Sequence, residues 1–286
     1  ITADGYISDN EIFTSGGSAA GGCGIYCNQA YPTISNNTIS GSNNSGIYVR
    51  NSFEGYVTIK NNAIYESTSY GIYSQNSMLN ITGNVIGNIT GNVIGNAVIR
   101  SGTYGVYGEY STFIITSNDI KKNYYGLWCK ESTLNITGGS SSWNTYGIYM
   151  TSSSSGNVKN MIVSNNSYGV YCSESSFTFT DTTISDNSYG AYFINCPYGT
   201  MPKPKLANTV ITSLIMDLNC SGSRLECTDG TINTIYLYTT SLECLDFMPD
   251  FSNITFADSG SNLEVSFYLT VNVTWYNVTS GGLNNE

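Results

Sequence analysis

A glycine, an aliphatic residue and an aromatic recur eight times in this chain. The copies are Gly24-Ile25-Tyr26, Gly46-Ile47-Tyr48, Gly71-Ile72-Tyr73, Gly105-Val106-Tyr107, Gly126-Leu127-Trp128, Gly147-Ile148-Tyr149, Gly169-Val170-Tyr171 and, with alanine in the middle, Gly190-Ala191-Tyr192. Successive glycines lie 22, 25, 34, 21, 21, 22 and 21 residues apart. A period of this size marks one supersecondary unit stacked on copies of itself, because a single copy cannot bury its own apolar face.

Within a unit, about three short runs alternate apolar and polar residues and are separated by Ser, Asn or Gly. Each run is too short for a helix and carries β-branched or aromatic residues. Three strands per 21–22 residues predict an all-β, right-handed, single-stranded parallel β-helix of about 11–12 coils, with neighbouring coils about 4.8 Å apart. Further ladders keep the same register. Ser-x-(Leu/Phe)-x-(Ile/Phe)-Thr recurs from Ser77, Ser111, Ser132 and Ser175. Asn-x-Ile recurs at Asn10, Asn37, Asn62, Asn84, Asn118 and Asn160. An Asn precedes the glycine by three at Asn43, Asn123, Asn144, Asn166 and Asn187. Stacked Asn side chains can pass amide hydrogen bonds from coil to coil and tolerate left-handed corners.

Residues 1–200 read as regular coils. Residues 201–286 read as an irregular continuation beyond a Pro-rich break at 197–204, ending in cap or assembly strands. The octapeptide at 80–87 is repeated at 88–95, which accounts for the 34-residue interval as an extra partial coil or a bulged loop.

Alternation about the glycine points the aliphatic residue inward. Tyr26, Tyr48, Tyr73, Tyr107, Trp128, Tyr149, Tyr171 and Tyr192 then form an outward strip, able to bind sugars or a subunit or simply to stiffen the sheet. The inward third position holds Cys27, Cys129 and Cys172, read as small core residues. Cys129 and Cys172 are two coils apart, about 10 Å, beyond disulfide reach. Cys227 and Cys244 sit at equivalent places on adjacent coils and could bond; Cys220 with Cys227 is a competing pair.

Only 10% of the residues are charged, and the net charge of −10 argues against nucleic acid as a partner. No apolar stretch is long enough to span a bilayer. The start at Ile1 reads as a processed or excised chain without its signal peptide. Ten sequons, at Asn36, Asn43, Asn80, Asn88, Asn135, Asn165, Asn219, Asn253, Asn272 and Asn277, are glycosylation candidates. An Asn-, Ser- and Thr-rich composition would supply roughly eight by chance.

The chain has no His, which removes most catalytic triads and imidazole metal sites. Glu226, Glu243 and Glu264 stack in the later coils and could bind Ca²⁺ or form a solvated face; no other metal or cofactor is expected.

The Gly-Ile-Tyr and Asn-x-Ile ladders, over roughly residues 5–270, resemble right-handed parallel β-helix repeat proteins of the pectate-lyase-like superfamily. They look most similar to archaeal surface β-helix proteins and the copper-associated periplasmic β-helix group. The resemblance implies the fold and leaves the activity open across lyases, hydrolases, adhesins and structural proteins. A glycosidase reading would need paired carboxylates, for which Asp181 and Asp186 are the nearest candidates. The expected role is non-enzymatic: a rigid, N-glycosylated rod of an extracellular layer, sheath or filament, contacting copies of itself by its ends or sides. Alternatives are a carbohydrate-binding adhesin and a polysaccharide lyase or glycoside hydrolase.

Overall fold

The computed structural model describes residues 5–13, 22–87, 103–197, 200–238, 241–245, 254–256, 259 and 261–266. Strands come in threes. Thr133–Thr137, Ser140–Ser142 and Tyr146–Thr151 make one coil; Ser155–Lys159, Ile162–Ser164 and Tyr168–Ser173 make the next. Each strand pairs in parallel with its counterpart one coil on, as in Ile136↔Val158, Ser141↔Val163 and Tyr149↔Tyr171. Among the described residues, one face is a twelve-stranded sheet with one strand per coil, and the other two faces join in a nineteen-stranded sheet. The described residues contain no α-helix. This is a parallel β-helix.

The coil resumes after the Pro-rich break. Lys205–Ala207 lies between Ser176–Thr180 and Arg224–Thr228 in the first face. One buried cluster runs from Ile25 to Leu237, so the regular and irregular coils share a core. On either side of the break, Thr183–Ile194 and Val210–Ser221 are each twelve residues long and turn a corner without interruption. The first copy of the duplicated octapeptide lies in the strands Met78–Thr82 and Val85–Gly87; the second copy is outside the described residues.

The repeating glycine is required by contact rather than by backbone angle. A Cβ on Gly147 would lie 2.6 Å from the carbonyl oxygen of Gly169, 2.7 Å from Val163 and 2.9 Å from the Asn166 amide. Gly126 and Gly169 meet the same crowding from their next coils. At these points the chain bends inward until only hydrogen fits. The following aliphatic residue, from Ile47 to Val170, is fully buried. Gly108 shows the complementary use of space: Phe113 fills the volume that a side chain there would take, 2.0 Å from its Cβ position.

Buried polar columns hold the corners. Asn123 N–H donates to Asn144 Oδ1 at 2.9 Å, Asn144 N–H to Asn166 Oδ1 at 2.8 Å and Asn166 N–H to Asn187 Oδ1 at 2.9 Å. The Nδ2 of Asn144 also reaches the Ile120 carbonyl one coil back and Asn166 Oδ1 one coil forward. A second column repeats this through Asn10, Asn37, Asn62, Asn84 and Asn118. Each amide thus binds its coil to both neighbours and satisfies corner groups that would otherwise be buried without partners.

Two members of the expected Asn ladders lie elsewhere. Asn43 is exposed, and Ser42 takes the column position because that turn is one residue longer. Asn160 is exposed in the left-handed region (φ 54°); Met161 takes the buried place and Ile162 points out, 51% exposed. In both coils the register is set by which side chain the corner can bury.

Asn144→Ala removes both the acceptor for Asn123 and the bridge to Asn166. It should lower unfolding stability by about 2–4 kcal/mol in urea denaturation, while Ser167→Ala on the exposed side of the next corner should change it by less than about 0.5 kcal/mol.

Candidate functional site

The Tyr-Gly-x-Tyr strands project two aromatic columns from one face. The expected strip runs Tyr26, Tyr48, Tyr73, Tyr107, Trp128, Tyr149, Tyr171, Tyr192. Beside it the residue preceding the glycine makes a second column, Tyr70, Tyr104, Tyr125, Tyr146, Tyr168, Tyr189, visible in sequence as the Tyr-Gly pair but absent from the expected strip. Because coils repeat at nearly the distance at which rings stack, the second column is a continuous pile. Its centroids are 4.9, 5.3, 5.1, 4.8 and 5.0 Å apart, with planes within 15°. Tyr48 and Tyr73 stack at 4.5 Å, and Tyr149 and Tyr171 at 4.7 Å. The two columns meet edge to face, as at Tyr146–Tyr149. These rings spend their faces on one another.

Burial pushes the phenols of Tyr73, Tyr149 and Tyr192 up to about 12, with neighbouring phenols adding to the shift. Tyr107 is pushed higher still by burial and then by the Glu109 carboxylate.

Free aromatic surface lies at the adjacent corner, between the short strands and the Tyr strands. There Lys122, Trp143, Asn165 and Asp186 occupy one position on four successive coils, all with φ of 56–57°. Asn and Asp accept that left-handed geometry readily. For a residue as bulky as Trp it is an outlier, disfavoured by roughly 1–2 kcal/mol. Trp143 is 60% exposed, and Tyr124, one coil before and two residues along the turn, is 49% exposed. Both line a groove of about 930 Å³ that runs over these corners, with Lys122, Asn165 and Asp186 on its walls. The buried Asn column forms its floor. The groove therefore offers two aromatic surfaces, amides, hydroxyls, one ammonium and one carboxylate on successive coils. Nothing in the sequence marked it, since Trp143 belongs to no repeated motif.

The remaining sequence candidates are dispersed. Asp181 and Asp186 are both exposed but sit at different corners, Asp181 before the strand Thr183–Ile194 and Asp186 at the bend within it. Asp181 accepts from Asn208 at 2.8 Å, and Asp186 faces the groove. Glu226, Glu243 and Glu264 are register partners on successive coils, and Glu226 is paired with Lys205 at 2.6 Å. Among the described residues no group of three or more His, Cys, Asp or Glu is placed to hold a metal ion.

Asn36, Asn43, Asn135 and Asn165 are exposed, while Asn80 and Asn219 are half-buried. Asn88, Asn253, Asn272 and Asn277 lie outside the described residues. Cys227 and Cys244 are register partners, and Cys220 and Cys227 are both buried.

The family model for the right-handed β-helix region matches residues 2–95 and 88–228. Among solved structures, XylC in complex with xylose is similar over 85% of this chain and 48% of its own, at 12% identity and a TM-score of 0.41. The chain thus spans about half the length of that protein. The A-module of the mannuronan C-5 epimerase AlgE4 from Azotobacter vinelandii is similar over 93% of this chain and 76% of its own, at 13% identity and a TM-score of 0.38. The corresponding AlgE6 module covers 93% and 91%, at 12% identity and a TM-score of 0.34. No curated protein matches the chain.

The raised phenols give the fold an alkaline limit. The folded state keeps its protons where an unfolded Tyr, with a pKa near 10, loses them, so their contribution is intact below about pH 10 and is lost as pH rises toward 12. Spectrophotometric titration should show a group of tyrosines ionising above the ordinary range, with the unfolding midpoint falling steadily from pH 10 to 12. Ionisation of every tyrosine near pH 10 would contradict the buried stack.

Proposed function

The chain belongs to the right-handed β-helix family, and from that premise we propose that it is a rigid structural rod of a cell exterior, part of a surface layer, sheath or filament. The observation that carries this reading is the density of coil-to-coil bonding outside the backbone. Asn columns, a Ser column and two aromatic columns each repeat the same contact on successive coils. Such a body bends little, because bending must stretch several ladders at once. The exterior location is supported by the sparsely charged polar surface and by sequons at exposed positions such as Asn36 and Asn135. In this role the protein makes no chemistry of its own; its partners are copies of itself. Within the family the His-free, polar composition fits surface β-helices of the archaeal kind better than the copper-associated branch.

A second reading, carbohydrate binding, is favoured by the corner groove. Flat aromatic surface flanked by amides and hydroxyls suits a polyhydroxylated chain lying along the rod. Exposed Trp143 sits there at a backbone cost its own coil does not require.

Negative-stain electron microscopy of native or concentrated protein should show regular fibres or sheets; monodisperse single particles at every concentration would refute the rod assembly. For the groove, glycan-array binding should fall at least tenfold in Trp143→Ala and stay unchanged in Tyr149→Ala. Loss in the Tyr variant alone would return the binding role to the stacked strip.

A further inference from the structure

Two side-chain columns meet at one point of the core. The first is the inward residue two places after each aliphatic, such as Ser74 and Cys172. The second is the Ser column at the next corner, in which each backbone N–H donates to the hydroxyl one coil on: Ser77 to Ser111, Ser111 to Ser132, Ser132 to Ser154, Ser154 to Ser175. The fold brings a member of the first column against the second column's residue of the following coil. Ser74 Oγ and Ser111 Oγ meet in this way at 2.9 Å.

Cys196 stands in the Ser column, its N–H donating to Ser223 Oγ at 3.0 Å. Its partner across the junction is Cys172, and the two sulfurs are 3.6 Å apart, both side chains wholly buried. Cys27 and Cys129 occupy the first column too, but the second-column residues one coil on are Ser52 and Ser154.

We propose that Cys172 and Cys196 form a disulfide that staples one coil to the next in the mature protein. The sulfurs need to approach by about 1.5 Å to reach bonding distance, within the range of a side-chain rotation. Formation breaks two S–H bonds and makes one S–S bond. The two electrons and two protons pass to a disulfide oxidant such as oxidised glutathione, which leaves as two thiols. Both thiols are wholly buried in the wound coil, out of reach of an external disulfide. The exchange therefore precedes closure of the 172–196 turn. The proposal draws on the exterior location above, where oxidising conditions prevail.

The test avoids that location by working in vitro. The full chain is denatured, reduced and refolded in a buffer of reduced and oxidised glutathione, then alkylated under denaturing conditions without reductant and mapped by peptide mass. The expected result is the Cys172 peptide joined to the Cys196 peptide, two hydrogens lighter than the pair, with the Cys129 peptide alkylated. Recovery of both Cys172 and Cys196 in alkylated form from folded protein overturns the proposal.

As a second measurement, Cys196→Ser restores the column's own residue and its hydrogen bond. It should unfold roughly 5–10 °C below oxidised wild type and level with wild type refolded under reductant. Equal midpoints for wild type refolded with and without reductant would also overturn it.

Discussion

Everything in this protein follows from the spacing that backbone hydrogen bonds impose between parallel strands. Coils wound at about 4.8 Å put equivalent side chains directly over one another, whatever those side chains are. A residue type is therefore selected less by its own environment than by its compatibility with a copy of itself one coil away. Asn, Ser and Tyr satisfy that condition in different ways. Asn donates and accepts in one planar group, Ser offers a hydroxyl to the next backbone N–H, and Tyr presents a face whose stacking distance nearly equals the coil spacing. Aliphatic residues meet it by filling the centre, and the repeating glycine by yielding it.

The corners carry more of the specification than the flat faces. On a face, Leu, Ile, Val and Phe exchange places freely, and Gly108 against Phe113 shows one coil trading volume with its own next strand. At a corner the buried N–H groups need a partner, and the column breaks where the partner changes. Ser67 replaces Asn in one corner, and among the described residues its buried hydroxyl has no partner. Past the break, Asp217 takes over: its carboxylate accepts from Ser213 N–H and Oγ–H and from the N–H groups of Asn233 and Thr234, closing a bulged turn from which Leu214 and Ile215 project.

How far the structure was readable from the residues depended on whether a feature recurred. The glycine contact happens once per coil, so its period, the inward aliphatics and the three-faced winding were all legible. Single-coil events were not. One added turn residue moved the buried position from Asn43 to Ser42, and a competing apolar side chain moved it from Asn160 to Met161; local pattern does not reveal which of two adjacent residues a corner will bury. Trp143 was invisible for the same reason. Its left-handed backbone is inherited from a column whose other members are Lys122, Asn165 and Asp186, and no pattern in its own coil announces it. Cys196 hid behind the Pro-rich break, and its place in the Ser column emerges only from register.

The amide columns also have a direction. From Asn10 to Asn84 and again from Asn123 to Asn166, the backbone N–H of each column Asn donates to the side-chain oxygen of the Asn one coil on. The side-chain amides are aligned, each Nδ2 donating forward to the next Oδ1, so the two ends of a column are chemically unlike, one presenting an acceptor and the other a donor. Any joint that prolongs these columns must pair opposite poles, which favours polar, one-way growth over mirror-like pairing.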